Sequence, residues 1–169
     1  MTEFSRQLEA ELPRLRRYAR ALVHDAQRAE DLVQDCMERA LRKSHLWREG
    51  TSLSAWLFTM LHNLHASAAR RFFHLPRHVP FDETDTMPHV APTQTDSVNL
   101  AGLQAALDKL PDEQRQVLLL VGMEQRRYEE VAAILNIPLG TVMSRLFRAR
   151  ERLRGLLADD SRPPLRRVK

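Results

Sequence analysis

The chain has 169 residues, 43% of them hydrophobic and 28% charged, with 26 Lys+Arg against 22 Asp+Glu for a formal net charge of +4. This is the composition of a globular protein, and it excludes much: no apolar run reaches the roughly 18–20 residues of a membrane span, and Met1-Thr2-Glu3-Phe4 does not open a secretory signal. One cysteine, Cys36, rules out an internal disulfide or a thiolate metal cluster and suits a cytoplasmic protein, and five glycines include no phosphate-cradling GxGxxG or GxxxxGK pattern.

In chain order, Leu8, Leu12, Leu15, Ala19, Leu22 and Val23 form one helical stripe. Pro13 either kinks that segment or starts its main helix. Asp25 is suited to cap a helix from about Ala26 to Lys43. On that helix Asp31, Gln34, Asp35 and Glu38 share one face; Ala29, Leu32, Val33, Cys36 and Ala40 share the other, with Cys36 a core residue rather than a nucleophile. After Gly50-Thr51-Ser52, the spacing of Leu53, Trp56, Leu57, Met60 and Leu64 predicts an amphipathic helix to about Arg71. Trp56 belongs to its core stripe, whereas Phe58 and Asn63 lie off it and can reach a partner.

Residues 74–99 contain Pro76, Pro80, Pro88 and Pro92 without helical or strand periodicity, which marks a linker. The net charge is +3 over residues 1–71, −3 over 72–100 and +4 over 101–169, so two basic modules flank an acidic connection. Beyond it, Leu100, Leu103, Leu107 and Leu110 make a helix closed by Pro111, which opens the next one with Asp112 and Glu113 in its first turn. Nothing alternates like a strand, so the fold class is all-α, with two small helical domains.

The segments Tyr128–Leu135 and Leu139–Leu157, joined at Asn136-Ile137-Pro138, have helix-turn-helix form, and Asn136 is suited to the left-handed end of the first helix. Val142, Leu146, Ala149 and Leu153 point one way; Gly140, Ser144, Phe147 and Glu151 point the other, with Arg148 beside them. Arg145, Arg148, Arg150, Arg152 and Arg154 make the second helix strongly cationic, as attraction to phosphates requires. Such a helix fits a major groove with Ser144 and Arg148 at base edges or phosphates and Phe147 against thymine methyls or sugars. Arg145 flanks the buried side and suits packing or phosphate contact better than base reading.

AEDLVQDCMERAL, SAWLFTMLHNLHASAARR, LPDEQRQVLLL and YEEVAAILNIPLGTVMSRLFRARERL, in that order and spacing, resemble the extracytoplasmic-function (ECF, group IV) sigma factors of the sigma-70 family. The resemblance implies a region 2-like domain at 1–73, the linker at 74–99, a region 4-like domain at 100–158 and a basic tail at 159–169. It implies docking on the β′ clamp helices of core RNA polymerase through Asp31, Gln34 and Asp35, with Met37 and Leu41 at the edge, and a second contact with the β flap. It implies opening of the −10 promoter element by about Leu46–Arg71, with Asn63 at a promoter-contacting position. Phe58, Arg70 and Arg71 are the further DNA-facing candidates of that segment, and base flipping there needs stacking and hydrogen-bonding surfaces to offset a few kcal/mol. For the −35 element it implies Gly140, Thr141, Ser144, Arg145, Phe147 and Arg148, and it implies an anti-sigma factor as regulator.

Three positions depart from the family pattern. Ser67 stands where many members have Asp, Met143 where a basic residue is frequent, and Arg127 where a Ser usually precedes Tyr-Glu-Glu, removing an N-cap worth ~1 kcal/mol. The resemblance implies no catalytic residue and no cofactor, because the polymerase supplies the chemistry. No metal is expected either: zinc wants three or four convergent ligands, and His62, His65, His74 and His78 read as exposed helix and linker histidines. Two other functions fit the same residues. A sigma-like decoy would bind an anti-sigma factor without supporting transcription, and a stand-alone helix-turn-helix repressor would bind its operator without polymerase.

Overall fold

The computed structural model describes residues 2–73 and 100–160. The linker expected at 74–99 and the tail from 161 lie outside the described residues. Those described form seven α-helices and no strand: α1 Glu3–Leu22, α2 Ala26–Arg42, α3 Leu53–Phe73, α4 Leu100–Asp108, α5 Asp112–Gly122, α6 Tyr128–Leu135 and α7 Leu139–Asp160, with one 3₁₀ turn at Ser44–Leu46.

Helix α1 starts well before Pro13 and runs through it. Thr2 accepts a hydrogen bond from the Ser5 backbone N–H at 3.2 Å, and Glu3 sits favourably in the first turn. Phe4 then packs on Trp47 and Trp56, ring centroids 5.5 and 6.4 Å away, so tertiary contact holds the turns that a proline start would have discarded. Trp56 is accordingly only partly buried. Asp25 caps α2 through the Arg28 N–H at 3.0 Å, and the buried face of α2 is Ala29, Leu32, Val33, Cys36 and Ala40, as its periodicity predicts. Gly50, at φ 86°, makes the turn into α3, and Ser52 caps that helix through the Ala55 N–H at 3.1 Å.

In the second domain Pro111 precedes α5 in extended geometry (φ −54°, ψ 144°) and leaves Asp112 and Glu113 in its first turn. Asn136 is left-handed (φ 53°, ψ 51°) and ends α6, so that α7 leaves at 104° to it, within the range of helix-turn-helix pairs. Arg127 contributes no side-chain cap to α6, but Glu130 reaches back to its N–H at 2.9 Å and satisfies one of the orphan donors.

The two domains pack on one another, α1 against α5 and α3 against α6, and one apolar cluster runs through both. Its centre combines Tyr18, Leu57, Phe58 and Leu61 with Val117, Leu120, Val131 and Val142, each essentially without exposure. At roughly 1.5–3 kcal/mol per large side chain, this burial is the main source of stability. Cys36 is part of it: burial pushes its thiol up to about 12, and it lies 3.6 Å from the Leu57 carbonyl oxygen, so it is no nucleophile. Among the described residues no single helix is long and apolar enough to cross a membrane.

Candidate polymerase and promoter surfaces

Helix α2 turns its polar face outward. Asp31, Gln34 and Asp35 are exposed and Met37 is half-buried beside them. The face is held in register by its own i,i+4 pairs, Gln27 donating to Asp31 at 3.0 Å and Gln34 to Glu38 at 3.2 Å. Leu41 is 51% exposed, and so is Leu46 on the following turn, at 58%. Two uncovered leucines at the end of an acidic helix face make an apolar edge of the kind partners cover. Leu46 falls outside the five docking residues expected from sequence; the resemblance places it at the start of the −10 segment instead.

On α3 the expected DNA-facing residues separate. Asn63, Arg70 and Arg71 are exposed along the second half of the helix. Ser67 donates to the Asn63 carbonyl at 2.9 Å and accepts from Arg70 at 3.4 Å, so the residue that replaces the family's Asp ties Arg70 to this surface. Phe58 requires a correction, being completely buried. Tyr18 packs edge-on against it at 4.9 Å, and the guanidinium groups of Arg14 and Arg126 lie 5.8 and 5.5 Å from its centroid. The first half of α3 is covered by α1 and α2 of its own domain and, from the other, by α6 and the α5–α6 loop; a single apolar stripe describes only one side.

His62 is also corrected from exposed to buried. Its Nε2 lies 2.7 Å from the Tyr18 hydroxyl, and burial drives its pKa down to about 3, so the ring is neutral at physiological pH. His65 instead donates to Asp112 of the other domain at 2.9 Å. Burial raises the Asp112 carboxyl, but His65 and Arg115 outweigh it and hold the group below its usual range. The two histidines therefore have separate partners. Among the described residues no three His, Cys, Asp or Glu side chains converge as a metal site.

Helix α7 presents the most open surface. Val142, Leu146 and Ala149 are buried, while Gly140, Ser144, Phe147 and Arg148 are exposed, Phe147 by 68%. Thr141 is half-buried, and its carbonyl accepts from the Ser144 hydroxyl at 3.1 Å. Arg145 is paired with Glu113 of α5 at 3.3 Å, which fixes it at the margin of the face. Met143, 48% exposed, puts an apolar side chain where the family often has a cation. An aromatic ring, a hydroxyl and the exposed Arg148 guanidinium on one side of a cationic helix can meet base edges, methyls and phosphates.

These two surfaces, displayed by small helical domains of which the second is a helix-turn-helix, define a sigma-type transcription factor. Two family models match in the same order, "Sigma2 domain of PhyR" over residues 8–62 and "Sigma-70, region 4" over 100–153. The chain is 40% identical over 151 residues to the "ECF RNA polymerase sigma factor EcfG" of Rhodopseudomonas palustris, across 89% of this chain and 83% of that protein. The sigma factor RpoE of Bartonella quintana, solved with the anti-sigma factor NepR, superposes with TM-score 0.76 and 34% identity, covering 95% of this chain and 99% of that one. The anti-anti-sigma factor PhyR of the same organism shares the fold at TM-score 0.57 and 17% identity, over 86% of this chain but only 48% of PhyR. The chain belongs to the ECF RNA polymerase sigma factors.

Proposed function

We propose that the chain binds core RNA polymerase and directs it to a defined set of promoters, without chemistry of its own. Residues 1–73 dock on the β′ clamp helices through Asp31, Gln34, Asp35, Met37 and Leu41, extended here to Leu46, and engage the −10 element through Asn63, Arg70 and Arg71. Residues 100–158 contact the β flap and read the −35 element through Gly140, Thr141, Ser144, Phe147 and Arg148, with Arg145 at the rim. The observation that carries this reading is the pair of outward faces on α2 and α7, each exposed while the opposite side of the same helix is core. Two weak readers held on one polymerase gain effective concentration from their connection. Core polymerase places the chain in the cytoplasm.

Regulation by an anti-sigma factor is part of the same proposal. The RpoE that superposes over nearly all of this chain was solved bound to one. A decoy that only sequesters the anti-sigma factor is the second reading, favoured by the PhyR-type model over region 2. Against it stand the exposed DNA-facing residues of α7 and the 40% identity to a named sigma factor.

Copurification with core polymerase at low salt tests the docking face. The chain is expected to bind, and Asp35→Arg, on an exposed position, is expected to abolish binding while helical content is unchanged. Equal binding by the variant refutes the α2 surface.

A further inference from the structure

The domains are joined by a charged contact that neither the polymerase face nor the −35 face requires. Between α5 and α6 a short loop reaches across to α1 and α3. Left-handed Gln125 (φ 51°) shapes it, and the Glu124 and Arg126 amides donate to the Leu119 and Leu120 carbonyls at 3.1 and 3.0 Å. The loop is thus fixed with two charged side chains presented to the other domain.

Glu124 is fully buried and ion-paired with Arg14 of α1, with Arg17 3.8 Å away. Arg126 donates to the hydroxyl of Ser54 in the first turn of α3, the same hydroxyl that accepts from Arg14 at 3.1 Å. The Phe58 ring is flanked by guanidinium groups from both domains. Further along the junction His24 donates to Asp108 at 2.8 Å and accepts from Arg115 at 2.9 Å, and His65 holds Asp112.

Such a contact fixes geometry without adding much net stability, since buried ion pairs forfeit most of their attraction to desolvation. It is also incompletely satisfied: Glu124 Oε1 and Arg126 Nε have no hydrogen-bond partner although both are buried. Separation would return these groups to water and uncover the first half of α3, adjoining the exposed turns assigned to the −10 element. The junction therefore has two parts, an apolar cluster that favours closure and a charged contact whose groups can exchange with water.

We propose that Glu124 and Arg126 form an intramolecular latch: it holds the free chain closed over the first half of α3, and it must open for the chain to engage polymerase and promoter. The closure itself is independent of the sigma-factor reading; its inhibitory consequence rests on that reading.

Small-angle scattering of the full chain, with circular dichroism to check folding, tests the closure. Glu124→Arg faces Arg14, Arg17 and Arg126 with a like charge and is expected to enlarge the radius of gyration at unchanged helical content. Arg14→Glu combined with Glu124→Arg is expected to return it toward the wild-type value. If Glu124→Arg unfolds, Arg126→Ala, which removes the Ser54 and Phe58 contacts without burying a new charge, is expected to open the chain in the same way. A chain that stays as compact as wild type, or a reversed pair that stays as open as the single variant, overturns the latch. In a second arm the opened variant is expected to bind core polymerase roughly tenfold more tightly, because the competent fraction rises. Equal affinity overturns the inhibitory role; opening without binding by either protein leaves the latch standing and refutes the sigma-factor reading.

Discussion

Helices α3 and α7 are both assigned to DNA, yet they meet the rest of the molecule in opposite ways. Over its first half α3 is enclosed, with Leu57, Phe58 and Leu61 all wholly buried and only its later turns, at Asn63, Arg70 and Arg71, facing outward. Helix α7 buries one stripe and leaves the opposite side open from Gly140 to Arg148. A reader of duplex DNA needs only a free helix face for a groove. A segment that holds separated strands needs a larger surface, and the proposed closure leaves only these later turns open. In the closed form one reader is displayed and the other is partly withheld.

The contrast is sharpest at paired positions. Leu61→Ala empties a fully buried site and is expected to cost about 2–5 kcal/mol of unfolding free energy. Phe147→Ala, a larger truncation, is expected to stay within about 0.5 kcal/mol because the ring is exposed. Urea melts of both variants check this, and comparable losses would erase the distinction between the helices. Arg148→Ala is expected to weaken −35 recognition by about 1–3 kcal/mol with no change in stability. Competition between −35 variants reads that effect; unchanged promoter affinity would remove Arg148 from the reading face.

The buried side of α3 also has a pH signature. His62 is neutral in the folded chain, with a pKa near 3 against the ordinary 6.5. The unfolded chain takes up the proton first, so this contribution to stability is intact above pH 6.5 and is lost as pH falls from there toward 3. The slope approaches about 1.4 kcal/mol per pH unit. Thermal melts between pH 6.5 and 4 are expected to show it and His62→Gln to flatten it; an equally steep variant would assign the acid sensitivity elsewhere. The smallest effect is at α6: Arg127→Ser supplies the missing N-cap and is expected to raise stability by ~1 kcal/mol in the same melts. No gain would mean that Glu130 already satisfies that end of the helix.

What sequence could reveal depended on whether a residue's surroundings were local. The C-terminal end of α6 follows from Asn136, and the two faces of α2 from a 3.6-residue period, because cap and stripe are set within a few residues. Pro13 misleads because propensity sees the missing N–H but not Phe4 packing on Trp47. Phe58 and His62 misread as accessible for one shared reason: a stripe shows one buried side, whereas α3 is covered by α1, α2 and the second domain. Glu124 left no trace at all, since an acidic residue in a short loop reads as solvated until the distant Arg14 is brought to it.

The central claim is that this chain gives core RNA polymerase a promoter address through two joined readers. Sequencing the 5′ ends of transcripts made by core polymerase with the purified chain, without anti-sigma factor, tests it most directly. The expected result is a limited set of starts sharing a −35 and a −10 element, absent with core enzyme alone and depleted by Arg148→Ala. Binding to an anti-sigma factor with no promoter-specific starts would contradict it and make the chain a decoy.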